Sequence, residues 1–495
     1  MTSLREELEG IKAQLEPEPP PAWVDNVDAV PPVEPVNLRN KEFFERGDHV
    51  ELAIAHVEQL GPEDEVVYDD GTMCTYDGAR GLFQHRTACE ESRLVQSFAG
   101  MLVGTKEKPK VLDLKASDVS GAIRLAHDRV ARPGFFSFAP AGLAFADGFV
   151  EARDSGITVR PHSPMNRARY GYPFAFGDAS APTRFLAFMG DLFAEDADAA
   201  SKVAFLQEFC GASLLGIAPK YQRCVVLTGE GANGKSTFIN TISSVMPPGA
   251  TSAIAPQTWD NEYRRAMLAG KRLNLVSELP EADILSSEAF KAIVSGDPIV
   301  GREIRQSPFT FTPMAGHLFA ANRLPGSTDT SHGFWRRFVV IAFNRRFEGA
   351  NANADLAQEI ISSERAGIAR WMLDGAVRVQ RQRAYTLPAS SAEAVATWQR
   401  SANPVALFLD ECTVAASAGD GTSASQVYGH YRGWCERNGH RAVSTTKFGM
   451  RMRELDLSST HTKSGARYPV LVTGGDGLVT GYGPTRHHST SWSQS

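Results

Sequence analysis

Apolar residues recur along this chain with several distinct rhythms. Leu4, Leu8, Ile11 and Leu15 fall on one helical face, and Pro17, Pro19, Pro20, Pro21, Pro31, Pro32 and Pro35 then break any regular element before residue 38. The pattern predicts a short amphipathic helix on an extended acidic linker over residues 1–40. Residues 41–195 read as globular: a helical run from Asp48 to Leu60, then short β-type pieces. Val66-Val67-Tyr68 and Met73-Cys74-Thr75-Tyr76 flank Asp69-Asp70-Gly71; Gly148 to Ala152 and Ile157 to Arg160 flank Arg153-Asp154-Ser155-Gly156. Each set predicts a hairpin. Val203, Leu206, Phe209, Cys210 and Leu214, at helical spacing, predict a helix over 201–217.

The run Cys224-Val225-Val226-Leu227 predicts a buried strand, and Phe238-Ile239-Asn240-Thr241-Ile242 a helix. Between them stands Gly229-Glu230-Gly231-Ala232-Asn233-Gly234-Lys235-Ser236-Thr237. In a P-loop the glycines let backbone N–H groups turn inward around a phosphate, and the helix N-terminus adds its positive dipole end. Lys235 would reach the outer phosphates, and Ser236 would offer a hydroxyl to Mg²⁺. Strand before and helix after are what the mechanics of the motif require, so an ATP- or GTP-binding α/β domain follows.

Beyond the loop, Lys271-Arg272-Leu273-Asn274-Leu275-Val276-Ser277-Glu278 is a β-type run ending on a carboxylate. An acid at the C-terminal end of a strand beside the loop strand would hold Mg²⁺ through water and polarise the attacking water, which makes Glu278 the candidate. The segment from Phe290-Lys291 through Gly296-Asp297 to Arg302 and Arg305 runs from helix to turn to extended chain. A hairpin there could carry cations into a pore, and a solvated surface hairpin fits the spacing as well. Gly316 to Ala321 is a strand closing on Asn322, a group able to orient a water beside a γ-phosphate, and Arg336-Arg337 precede a further strand. Arginine there can neutralise charge on transferring phosphoryl oxygens, often from a neighbouring subunit.

Asp355 to Arg383 reads as a helical stretch explained by packing. From residue 403 a small domain begins: a helix over Ser423 to Asn438, a second capped by Ser444-Thr445-Thr446-Lys447 and running through Phe448, Met452 and Leu455, and a strand pair around Lys463 to Arg467. Two helices and a strand pair read as a winged helix whose second helix carries Lys447, Arg451 and Arg453 as a DNA-facing helix would, although winged helices also serve protein contacts. The Gly/Ser/Thr-rich tail beyond Gly474 predicts disorder.

Composition narrows the picture only a little. The 495 residues allow two to four domains, and 42% apolar with 22% charged residues is ordinary for a globular protein. A net charge of −6 means that nucleic acid would be met by local clusters, not by a basic surface throughout. Six cysteines without a CxxC pair suggest neither zinc nor a disulfide framework. The N-terminus lacks the basic start and apolar core of a signal peptide, and no apolar run reaches membrane-spanning length, so a cytoplasmic enzyme is expected. A polymerising primase site would need clustered carboxylates; Asp69-Asp70 is the one adjacent Asp pair and suits a turn, and His162 suits a loop.

Taken together, the loop Gly229–Thr237, Ser277-Glu278, Phe290-Lys291 with Gly296-Asp297 and Arg302, Ala321-Asn322-Arg323-Leu324-Pro325 and Trp335-Arg336-Arg337 resemble the superfamily 3 helicases. Within them the chain is similar to the phage/plasmid primase family related to poxvirus primase-helicases. Asp147-Gly148-Phe149-Val150 and Pro161-His162-Ser163-Pro164 resemble that family's helicase-associated N-terminal domain. The resemblance implies an α/β fold: an N-terminal α+β domain over 41–195, a P-loop AAA+ type core over 196–350, a helical extension over 351–400, a winged-helix domain over 401–475 and a tail over 476–495. It implies ATP and Mg²⁺ as cofactors, a ring, expected to be a hexamer, and single-stranded DNA in its channel. Lys235 and Ser236 would be the phosphate and Mg²⁺ ligands, Glu278 the acid and Asn322 the polar sensor. Lys291 and Arg302 would belong to the motif that forms the DNA-gripping hairpin, and Arg336 or Arg337 would be the arginine finger. One departure is that Ser277, not a second acid, precedes Glu278, which leaves Glu281 or Asp283 as possible helpers.

The expectation is therefore an ATP-dependent DNA helicase of a phage, prophage or plasmid replication system in a host cytoplasm, with a separate primase or polymerase as a possible partner. Three alternatives remain at this stage: a complete primase-helicase, an ATP-switched DNA-binding or loading protein, and a small-molecule P-loop kinase, which would have no use for a basic hairpin or a winged helix.

Overall fold

The helix read over Asp48 to Leu60 forms as His49–Leu60, with the Asp48 carboxylate accepting from Glu51 N at 2.9 Å. The computed structural model describes residues 43–473 except 70, 106, 280–287, 305–306, 328, 330, 349–352, 418–420, 441 and 463–464. The N-terminal helix and linker expected over 1–40 and the tail expected over 476–495 lie outside the described residues. Contacts divide the chain into two units, the first taking residues up to 68, 73–75 and 85–132. There Thr87 and Glu90 form a capping box at the start of Ala88–Gln96, and Ala116–Arg129 is the third helix. One residue from each helix meets at a carboxylate: Glu91 Oε2 lies 2.7 Å from His127 Nε2 and 3.5 Å from His56 Nε2. Burial opposes ionisation of Glu91, but the hydrogen bonds from His127 and His56 outweigh it and bring the carboxyl down to about 2.

The second unit takes 69–72, 76–84 and the chain from 133 onward, so residues 133–195 pack with the larger body. Gly142–Phe145, Gly148–Arg153 and Gly156–Arg160 form an antiparallel sheet that includes the hairpin read around Asp154. Asp69 is buried, its two oxygens accepting from Gly134 N (2.8 Å) and Phe136 N (3.0 Å). Its carboxylate ties backbone together; Asp70 lies outside the described residues. His162 Nε2 bonds the Phe145 carbonyl at 2.8 Å, the loop role read from sequence.

The centre of this unit is a five-stranded parallel sheet in the spatial order Thr251–Ser252, Leu273–Val276, Gly316–Ala321, Cys224–Thr228, Phe338–Ala342. Near-continuous Val/Leu/Ile/Phe runs suit strands covered on both faces. The expectation that the strand bearing Glu278 lies beside the loop strand is corrected here: Gly316–Ala321 runs between them. Because all three are parallel, their C-terminal ends still open on one edge.

Two helices, Ala199–Leu215 and the 27-residue Leu356–Gln382, pack closely because glycine permits it. A Cβ on Gly211 would fall 1.9 Å from the Met372 carbonyl oxygen, and one on Gly375 2.3 Å from that of Gln207. Arg378 Nε meets the buried Glu208 Oε1 at 2.6 Å across the same seam.

After the helix Ala389–Ser401 comes a C-terminal cluster of helices Pro404–Cys412, Ala424–Arg437 and Thr445–Glu454. Ser423 and Ser444 cap the latter two. Strand Gly465–Tyr468 pairs with Thr460–Thr462 and Thr422–Ser423, and Val470–Val472 with Thr413–Ala415. Phe408, Val427, Tyr431, Trp434, Phe448 and Met452 form the core of this cluster.

Candidate functional site

The loop strand delivers Gly229 at the C-terminal edge of the sheet, and the helix Lys235–Val245 begins six residues later. Gly231 and Gly234 have φ of 84° and 79°, and Ala232 adopts 47°, so the backbone turns through left-handed conformations that favour glycine. At Gly234 a Cβ would also fall 2.5 Å from Leu192 Cδ2. Lys235 is buried, which lowers its pKa, and its Nζ donates to Gly229 O (2.6 Å) and Asn233 Oδ1 (3.0 Å). Asn233, also buried, donates through Nδ2 to the Phe343 carbonyl at 3.1 Å.

A cavity of about 380 Å³ opens over this loop, bounded by Gly231 to Thr237, by Ser277 and Glu278, and by Ala320 to Asn322. Three of the five parallel strands thus bring Lys235, Ser236, Thr237, Glu278 and Asn322 to one space. Glu230, next to Gly231 in the loop, is exposed and pairs with Arg346 at 3.0 Å. Glu281 and Asp283 lie outside the described residues.

Arg336 and Arg337 are elsewhere. They precede Phe338, which pairs with Cys224, whereas the loop follows Thr228, which pairs with Ala342. Arg336 is exposed and its Nη2 donates to Gln222 Oε1 at 2.6 Å. Arg337 is buried, donating to the Gly333 carbonyl and to Ser295 Oγ (2.7 Å).

Ile299–Gly301 and Phe309–Phe311 form an antiparallel hairpin, with Arg302 just past its first strand and 3.5 Å from Glu262. Arg305 lies outside the described residues. Lys291 sits on the helix Glu288–Ser295 that precedes the hairpin, as read, with Nζ 2.7 Å from Asp329 Oδ2. Sequence reasoning missed the short helix Glu262–Ala266, which rests on this hairpin: Arg302 N donates to Glu262 O at 3.2 Å and Arg265 Nε to Val300 O. Helix and hairpin together expose Tyr263, Met267, Val300 and Ile304 beside Arg264 and Arg302. The signal was present, an aromatic followed by two arginines behind the capping Asn261.

On the helix Thr445–Glu454, Lys447 and Arg453 are exposed. Arg451 is only 4% exposed, with Nη1 3.4 Å from Asn403 Oδ1. Its reading as a DNA-facing cation is corrected: it lies three residues after Phe448 and shares the core face.

Two family models match parts of the chain. One, a family of unknown function named DUF5906, covers residues 227–337; the other, described as poxvirus D5 protein-like, covers residues 400–469. Protein L207/L206 of Acanthamoeba polyphaga mimivirus, named provisionally as a helicase, is 29% identical over 129 residues, which is 25% of this chain and 13% of that protein. The chain therefore spans a small fraction of that relative's length. A solved apo structure of the NrS-1 C-terminal region aligns over 86% of this chain and 99% of its own, at 10% identity and a TM-score of 0.44. A second apo structure of the same region aligns over 87% and 100%, at 11% identity and 0.41.

Proposed function

We propose that the chain is a protein of the superfamily 3 helicase/primase type and, more narrowly, an ATP-dependent DNA helicase of a phage, prophage or plasmid replication system. The observation that carries this reading is the convergence of Lys235, Ser236, Glu278 and Asn322 on one cavity at the C-terminal edge of the parallel sheet. In an AAA+ type core the sheet order described above is the one that sets a P-loop, an acid and a polar sensor side by side.

In this reading the phosphates of ATP lie on the loop amides and Lys235 turns its ammonium from Gly229 O toward them. Asn322 orients the attacking water and Glu278 takes its proton. The donor set suits Mg²⁺, a hard ion that takes few protein ligands and shares the rest with phosphates and water. Ser236 and Glu278 would hold it, and when bound it supplies charge neutralisation between the phosphates. Among the described residues there is no group of three or more His, Cys, Asp or Glu able to hold a metal unaided.

The placement of Arg336 supports action between subunits. Five strand residues separate the end of the sheet where it sits from the end where the loop opens. At about 3.3 Å per residue that is roughly 16 Å, too far for Arg336 to reach its own chain's nucleotide. A neighbouring copy in a ring, a hexamer by family likeness, would receive it. The hairpin and the short helix beside it offer single-stranded DNA both cations and a stacking aromatic. We read the C-terminal helices and strands as a winged helix, with Lys447 and Arg453 available to phosphates.

The test is ATP hydrolysis with and without single-stranded DNA, together with strand displacement. DNA should stimulate hydrolysis, and Lys235→Ala or Glu278→Gln should abolish both activities. Hydrolysis indifferent to DNA in a protein that never assembles would overturn the reading, and DNA binding without displacement would point to a loader.

A further inference from the structure

The residues after the strand Phe338–Ala342 lie against the glycine loop as a strap. Phe343 N donates to Thr228 O (2.8 Å), and Phe347 N donates to Ala232 O (2.7 Å). Asn344 Nδ2 meets Asp196 Oδ1 at 3.0 Å, and Arg345 Nη1 donates to the Asp191 carbonyl at 2.9 Å. The backbone is thus tied on both sides of Arg346, whose own side chain, among the described residues, pairs with Glu230, the second residue of the loop, at 3.0 Å.

That pair is 57% and 85% exposed. An ion pair so hydrated holds its partners weakly, and a guanidinium fork donates to phosphate oxygens as readily as to carboxylate oxygens, in the same planar geometry. We propose that Arg346 is a second nucleotide-contacting cation, acting within its own subunit: Glu230 holds it beside the loop, and the terminal phosphate of bound ATP takes the place of Glu230. This rests on the nucleotide reading above and adds to it a source of preference for triphosphate over diphosphate. Arg346 serves the loop of its own chain, whereas Arg336 stands at the far end of the same strands.

Because Glu230 is the competitor, the two partners make opposite predictions. Binding of ADP and of a non-hydrolysable ATP analogue, each with Mg²⁺, is measured by calorimetry on the full chain. Arg346→Ala should weaken the analogue about tenfold, the size of one charge-assisted hydrogen bond, and leave ADP nearly unchanged. Glu230→Gln should tighten the analogue by roughly threefold, the value of an exposed pair released. Arg346→Lys should recover part of the loss. If both variants weaken the analogue, or if Arg346→Ala weakens ADP equally, the pair merely holds the loop's shape and the proposal fails. A wild-type chain that binds neither nucleotide would instead sink the ATPase reading, a result distinct from wild-type binding that neither variant alters.

Discussion

Asn233 accepts a hydrogen bond from Lys235 through its side-chain oxygen, 3.0 Å away, while its amide nitrogen donates to the Phe343 carbonyl. The amide is thereby fixed in one orientation, and it aims the ammonium along the loop. Asn233→Ala removes that guide and leaves the Phe343 carbonyl without this donor, a change of about 1–3 kcal/mol. ATP turnover should fall roughly tenfold or more. Asn233→Asp keeps the acceptor and loses the donor, so a fall in Tm comparable to that of Asn233→Ala, with better-preserved turnover, would separate the tie to Phe343 from the aiming of Lys235.

The two adjacent arginines should part company on mutation. Arg337→Ala leaves Ser295 and the Gly333 carbonyl without a buried donor and should lower stability by about 1–3 kcal/mol, seen as a lower Tm. Arg336→Ala should leave Tm unchanged. Mixed with wild-type subunits it should depress hydrolysis more than in proportion to its share, and a strictly linear loss would argue against action between subunits.

On the hairpin side, Tyr263→Ala should weaken single-stranded DNA binding by about 1–3 kcal/mol whatever the base sequence, because stacking is sequence-tolerant. Lys447→Ala should reduce the salt slope of DNA binding by about one. Arg451→Ala should do neither and should destabilise the C-terminal cluster instead. An unchanged salt slope for Lys447→Ala would remove that helix from the DNA surface.

Acid should destabilise the parallel-sheet core through His317, in the strand Gly316–Ala321. Burial pushes its pKa down from 6.5 to about 3, so the unfolded chain binds a proton that the folded chain refuses. Its contribution is complete above pH 6.5 and is lost progressively as pH falls from there to about 3. A plot of Tm against pH should slope over that window, and His317→Phe should flatten it. If the slope is the same in the variant, the titrating group is another.

The sequence made some parts of this site legible and hid others for identifiable reasons. The loop and its strand stood out because glycines and a continuous apolar run are local signals. Strand order did not, since Thr228 pairs with Ala321 on one side and Ala342 on the other, partners about a hundred residues away that periodicity cannot identify. Arg451 was misassigned although its spacing from Phe448 already placed it inward. Arg346 went unnoticed because an exposed arginine in a connection has no pattern, and its partner Glu230 is 116 positions upstream.

The register that sets Phe338 opposite Cys224 also has a consequence for dose. If Arg336 serves a neighbouring copy, as proposed above, a lone subunit has a loop without a visiting cation and a cation without a loop to visit. Hydrolysis per molecule should therefore climb with protein concentration and level off only when every loop has a neighbour. A few stray copies would sit idle over bound nucleotide, so the chain's own abundance would act as its switch.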